Sequence, residues 1–319
     1  MSRLWPFPDL RNGVTFHHIT DTHFGAHGNA HWLDNWMRRN RQDMEFLKVA
    51  HSAHVHTGDC IHWDQLGDKD YGDNLYTEWR DWIKAHDGLP FMEMPGNHDL
   101  NCFAGGGSAY ARSANQWASD VDVDSPTSTL DLGDLKIIGI APDKWRRDAG
   151  TPHELQDYTL SQATLDWIDT ELQTAGKPCM IASHVPLDLQ FPGAAPGFNA
   201  VDVGTPGLVD VMDANPNFVG WVSGHFHEDM TDPNAFKVFQ YRAGSRFIFG
   251  INSPPAGGGR IGVPYHDHQY KSINCSTFVT FLGDAIDVRW RDHNARAWRD
   301  GAAQHHIMLP VQAAKSCGV

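Results

Sequence analysis

Aspartate, histidine and asparagine gather in five short clusters along the chain: Asp21-Thr22-His23, Gly58-Asp59, Gly96-Asn97-His98-Asp99, Ser183-His184-Val185-Pro186 and Gly224-His225-Phe226-His227. These are the oxygen and nitrogen donors that borderline divalent metals accept. Seven donor side chains are too many for one ion. They suit a pair of ions about 3.5–4 Å apart with a carboxylate between them. Glycines ahead of Asp59, Asn97 and His225 allow tight turns that aim short side chains at a common point. No cluster is specific alone, because a chain with 20 histidines supplies Asp-x-His by chance, as His266-Asp267-His268 does. The weight lies in a shared setting: each cluster follows a strand-like run.

The elements that must position these residues can be read from pattern. Val14 to Thr20 is β-branched and aromatic and runs straight into Asp21. Ala53 to Thr57 ends at Gly58-Asp59, and Pro90 to Met94 stops at Pro95-Gly96-Asn97. Helical patterns separate these strands, over about Arg38 to His51 and Leu75 to His86, the second with Leu75, Trp79, Trp82 and Ile83 along one face. Leu135 to Ile140 pairs with Thr127 to Leu132 across Gly133-Asp134, and Ser161 caps a helix that reaches Ala175. Pro178 to Ser183 and Phe218 to Ser223 are strands that end at His184 and at Gly224. This alternation predicts βαβ units with ligands at the strand ends, one sheet bringing all five clusters to one edge. Four late strands, near 236–241, 246–251, 277–282 and 285–290, have no helices between them and predict a second sheet packed on the first.

Composition narrows the class. A chain of 319 residues, 41% hydrophobic and 20% charged, has the make-up of a globular protein with a real core. Gly105-Gly106-Gly107, Pro192–Gly197 and Pro254–Gly259 read as loops too short for a domain linker, so 1–319 is expected as a single domain. Residues 1–13 form an N-terminal extension and 292–319 a C-terminal tail in this reading. The 25 Lys and Arg against 39 Asp and Glu leave a formal charge of −14, which argues against a broad nucleic-acid surface. No apolar run approaches the roughly 18 residues of a membrane helix, and Met1–Pro8 is too short and Pro-broken for a signal-peptide core. Cys60, Cys102, Cys179, Cys275 and Cys317 form no CxxC pair and predict reduced thiols in a cytoplasmic protein. Oligomeric state is left open.

In their order, the five clusters resemble the calcineurin-like metallophosphoesterase superfamily from Val14 to His227, and the strands through Trp290 resemble its returning sheet. The resemblance implies an α/β fold of two packed mixed β-sheets flanked by helices, an αββα sandwich. It also implies roles. Asp21, His23 and His227 would hold one metal, Asn97, His184 and His225 the other, and Asp59 would bridge them. The two divalent or trivalent ions could be Mn, Fe, Zn, Co or Ni, since this donor set does not choose among them. A hydroxide between them would be the nucleophile, metal binding lowering the pKa of water from 15.7 toward ~7. His98 resembles the residue that protonates the leaving oxygen or steadies developing charge, and Asp99 would orient its imidazole.

Departures from subgroup patterns point toward a substrate. Protein Ser/Thr phosphatases of the family carry Gly-Asp-x-x-Asp-Arg-Gly and end the third motif in Glu. Here the stretch is Gly58-Asp59-Cys60-Ile61-His62-Trp63, and the third motif ends in Asp99. Purple acid phosphatases place a tyrosine ligand where this chain has His62. The pattern is more similar to the branch of class III cyclic nucleotide phosphodiesterases and glycerophosphodiesterases. The expected substrate is therefore a small phosphodiester such as a cyclic nucleotide. Arg112 and Arg242 could clamp its phosphate, and His62 and Phe103 could stack on a base. A nuclease or phosphomonoesterase of the same superfamily stays open, as does a non-catalytic scaffold.

Overall fold

The computed structural model describes residues 13–23, 40, 42–44, 51–61, 74, 76–81, 88–100, 112–143, 158–190, 201, 206–227, 233–241, 243–244, 247–252, 275–299 and 304–309. Two mixed β-sheets pack face to face. The first contains β1 (Val14–Ile19), β2 (Ala53–His56), β3 (Phe91–Glu93), β10 (Cys275–Phe281), β11 (Ala285–Asp292), β12 (Ala297–Trp298) and β13 (Gln304–Met308). Its order is β12-β11-β10-β1-β2-β3, with β13 also paired to β11. The second runs β4-β5-β6-β7-β9-β8, built from β4 (Ser128–Asp131), β5 (Lys136–Gly139), β6 (Cys179–Ala182), β7 (Phe218–Ser223), β8 (Phe236–Gln240) and β9 (Phe247–Asn252).

The division between the sheets differs from the sequence expectation. The second sheet begins at Ser128, in mid-chain, and β8 and β9 complete it, while β10 and β11 return to pair antiparallel beside β1. The segment read as a tail from residue 292 supplies β12 and β13 to the first sheet. Local patterns cannot reveal which sheet a late strand joins, because that depends on its partner, which for β10 is β1 at the other end of the chain.

Alternation along the strands sorts the core. Phe16, Val55, Met92, Ile137, Met180, Val222, Ile251, Val279 and Val288 fill the space between the sheets. Their neighbours Ile138, Ile181 and Trp221 point to the other face of the second sheet, against α2 (Gln162–Ala175) and α3 (Leu208–Ala214). Ser161 caps α2 as expected, its hydroxyl accepting from the Thr164 N–H, and Gly176 closes it at φ 62°. The earlier helix α1 (Ala114–Asp120) was not anticipated, although Ser113 and Gln116 form a capping box. Helical backbone at 42–44 and 76–81 falls within the two helices expected early in the chain. Among the described residues, Cys60, Cys179 and Cys275 are free thiols, and no helix is long and apolar enough to cross a membrane.

The outer face of the first sheet holds a buried charge cluster. Asp43 accepts two hydrogen bonds from Arg291 of β11, both 2.8 Å, and lies 2.9 Å from His293 Nδ1, whose Nε2 is 2.6 Å from Ser276 Oγ. Arg291 and Asp43 are almost fully buried, so removing the cation strands the carboxylate. Arg291→Ala should therefore destabilise the protein by about 3–5 kcal/mol, read from the urea unfolding midpoint. A change within about 0.5 kcal/mol, typical of a surface site, would show that the pair does not hold the face together.

Candidate metal centre

The five clusters all follow parallel strands at their C-terminal ends, three from the first sheet and two from the second. Asp21 and His23 follow β1, Asp59 follows β2, and Asn97 and His98 follow β3. His184 follows β6, and His225 and His227 follow β7. The site thus lies across the seam between two sheets, not along one edge as the sequence suggested. Loop-to-loop bonds prolong the ladders into it: Asp21 N–H to Gly58 O at 3.0 Å, His23 N–H to Asp59 O at 2.9 Å, and Gly224 N–H to His184 O at 3.0 Å.

The backbone here is unusual. Asp21, His23, Asp59, His225 and His227 all have positive φ, between 46° and 76°. Side-chain-bearing residues rarely enter this region, and such strain concentrates at functional sites. Two glycines let the loops approach closely. A Cβ on Gly96 would collide with the carboxylate and amide of Asp59, and one on Gly224 with Thr20 and the Asp21 carboxylate.

The donors converge in two groups that share Asp59. In the first, His23 Nε2 lies 2.9 Å from His227 Nε2 and 3.8 Å from Asp59 Oδ2, and His227 Nε2 lies 2.9 Å from Asp21 Oδ1. In the second, His184 Nε2 is 3.3 Å from Asp59 Oδ2, 3.2 Å from His225 Nδ1 and 2.9 Å from Asn97 Oδ1. Asp59 Oδ2 therefore faces one imidazole of each group. All seven candidate ligands come together, and Asp21, Asp59, Asn97 and His184 are buried.

Electrostatics describe a site that needs positive charge. Burial works against ionising Asp21, but His227 outweighs it and holds the carboxyl well below its usual range. Burial likewise opposes ionisation of Asp59, and His184 and His98 overcome it. The reciprocal effect appears on His184: burial favours the neutral ring, yet Asp59 raises its pKa to about 9. The two carboxylates thus favour positive charge in their surroundings. Two buried carboxylates, four imidazoles and an amide oxygen fit a pair of borderline divalent ions.

Supporting contacts orient the donors. His184 Nδ1 lies 2.8 Å from the Thr57 carbonyl, which directs Nε2 into the site. The Asp21 carboxylate accepts from Thr20 Oγ at 2.8 Å and from the His225 N–H at 3.0 Å. The Tyr158 ring stands edge-on to His225, centroids 5.6 Å apart. Sequence reasoning missed Thr57 and Tyr158: one acts through its backbone, and the other lies on a distant segment with no motif.

Two expectations about neighbouring residues change, those for Asp99 and Arg112. His98 does sit at the rim, its N–H donating to Asp59 Oδ1 at 2.8 Å and its ring edge-on to His23, centroids 4.7 Å apart. Asp99, however, does not orient the His98 ring. Its Oδ1 accepts from Cys60 Sγ at 2.8 Å and the Ile61 N–H at 2.9 Å, and its Oδ2 from the Gly96 N–H at 2.7 Å. It is a buried anchor tying the loop after β3 to the loop after β2. Arg112 is engaged by Asp120 and Tyr76, with Nη1 2.5 Å from Asp120 Oδ2 and its guanidinium over the Tyr76 ring at 5.1 Å. His62, Phe103 and Arg242 lie outside the described residues.

Comparisons with known proteins agree with this architecture. A dimetal phosphatase from Danio rerio is similar, with a TM-score of 0.60 at 13% identity, over 93% of this chain and 99% of that one. A purple acid phosphatase from yellow lupin (Lupinus luteus) seeds aligns at a TM-score of 0.59 and 12% identity, over 98% of this chain but 56% of its own length. At such identities the likeness concerns the fold. No curated protein sequence matches the chain. The family model for calcineurin-like phosphoesterase matches residues 14–229, from the first residue of β1 to just past His227, and the chain belongs to that family.

Proposed function

We propose that this chain is a binuclear metal-dependent phosphodiesterase that hydrolyses a small diester, with a cyclic nucleotide as the leading candidate. The observation that carries the reading is Asp59, one buried carboxylate shared by both donor groups. Asp21, His23 and His227 would hold one ion and Asn97, His184 and His225 the other. Two ions so placed supply a low-pKa water and charge compensation for the phosphoryl oxygens. The ions could be Mn, Fe, Zn, Co or Ni.

The chain's own residues account for binding and proton handling. His225, His227 and His98 are the partly exposed members of the site, so substrate approaches over this rim. A diester would bring one negative charge to a centre whose two cations, when bound, would exceed its two carboxylates, which would favour binding. His98, fixed by its N–H on Asp59, can carry a proton at its ring to the leaving oxygen. The contact to Asp59 is made by the His98 backbone, so changing the side chain leaves that bond in place.

The two similar solved structures are named phosphatases, so phosphomonoesters belong beside diesters in any substrate panel. The metal-loaded protein should turn over bis-(p-nitrophenyl) phosphate and at least one of 3′,5′- or 2′,3′-cyclic nucleotides or glycerophosphodiesters. Preference for p-nitrophenyl phosphate over every diester would reassign it as a monoesterase. Asp59→Ala should lower turnover by more than the ~10–100-fold seen when a ligand's outer partner is lost, and should reduce bound metal; near-normal activity rules out a bridging carboxylate.

His98→Ala should retain both ions and lose about 10²–10⁴-fold in turnover. The loss should be greatest for alkyl leaving groups, which need a proton, and least for p-nitrophenolate. A fall in metal content would mark His98 as a ligand instead.

A further inference from the structure

A second set of histidines lies on the outer face of the first sheet, apart from the seven residues above. His17 is on β1 and His54 is its register partner on the parallel strand β2, and His51 stands just before β2. One ring nitrogen from each of the three falls within 4.8 Å of the others. His17 Nδ1 is 3.0 Å from His54 Nδ1, and His51 Nε2 is 3.2 Å from His54 Nε2. Ligand nitrogens around tetrahedral zinc, at Zn–N distances of about 2.0–2.1 Å, are separated by about 3.3 Å. His54 meets His17 through Nδ1 and His51 through Nε2, so each neighbour stands at about that spacing from the His54 ring. Small turns of the rings would bring one nitrogen of each, already within 4.8 Å of one another, onto a common ion.

From this convergence we propose that His17, His51 and His54 form a third metal site, which binds one borderline divalent cation of the Zn2+ type. The set is all imidazole, with no carboxylate, a donor choice that suits zinc, copper or nickel and disfavours magnesium, calcium and manganese. His17 and His54 are 1% exposed and held between aromatic walls. Phe278 stacks on His17 with centroids 4.8 Å apart, and Phe91 stacks on His54 at 5.9 Å. His51 is partly exposed, which gives an ion its route in, and water completes the fourth position. His17 and His54 point away from Phe16 and Val55, which pack between the sheets, so the ion sits on the outside of the sandwich. It lies four residues upstream of Asp21, on the order of 10 Å along the strand. A bound ion would staple β1, β2 and the segment leading into β2.

Zinc counting tests this independently of the reading for the Asp59 centre. Protein stripped with chelator, reloaded with Zn2+ and desalted should carry one zinc more than H51Q or H54Q treated alike. That difference of one holds whether the Asp59 centre fills or not, so failure of either assignment shows separately. H306Q removes a surface histidine whose side chain is 58% exposed and should keep the wild-type count. Turnover of H51Q should stay within twofold of wild type. Equal zinc in wild type, H51Q and H54Q overturns the site, as does an equal loss in H306Q. If H54Q does not fold, H51Q decides alone, because its partly exposed position tolerates the change.

Discussion

Two carboxylates almost fully withdrawn from water, Asp21 and Asp59, set the terms for the rest of the molecule. Burying an ionised group is costly unless opposite charge and hydrogen bonds surround it. Each detail of the site answers that cost. Thr20 and the His225 N–H bond Asp21, the His98 N–H bonds Asp59, and the imidazoles of His184 and His227 are drawn toward the protonated form. The left-handed backbone at five ligand positions is stable only because these contacts over-determine it. The same anions make the centre a strong host for cations.

Beneath this layer lies another buried carboxylate, Asp99, with a different task. Burial and the charge of Asp59 push the Asp99 pKa up to about 7, and three donors from two loops converge on it. Burial and Asp99 also raise the Cys60 thiol, which keeps its proton and donates it. The loop after β3 is thereby registered against the loop after β2, and Gly96 lets them touch. Asp59 and Asn97 are positioned together as one consequence.

Much of this was legible in the chain. The ligand motifs, their strand endings, the Ser161 cap and the Gly133-Asp134 hairpin are local signals, written within a few residues. What was hidden depends on distance. That β10 returns to β1 while β9 joins β7 is a matter of partners, and no strand carries its partner's address. The Asp99 side chain looked like a companion to His98 because the two are adjacent, yet successive residues in a tight turn point apart, and its bonds run to Cys60 and Ile61. Arg112 looked free to bind phosphate because Asp120 and Tyr76 are far from it in any motif. The histidines at 17, 51 and 54 were invisible among so many others until two strands came into register.

The seam between the sheets has a mechanical meaning. Some donors ride on β1, β2 and β3 and others on β6 and β7, and each donor group draws on both sheets, so the distances within each group gauge how one layer sits upon the other. The methionines and glycine that meet between the layers, Met92, Met94 and Gly139, act as spacers for a reaction they never touch. Interior packing and inorganic chemistry are thus calibrated by one shared dimension.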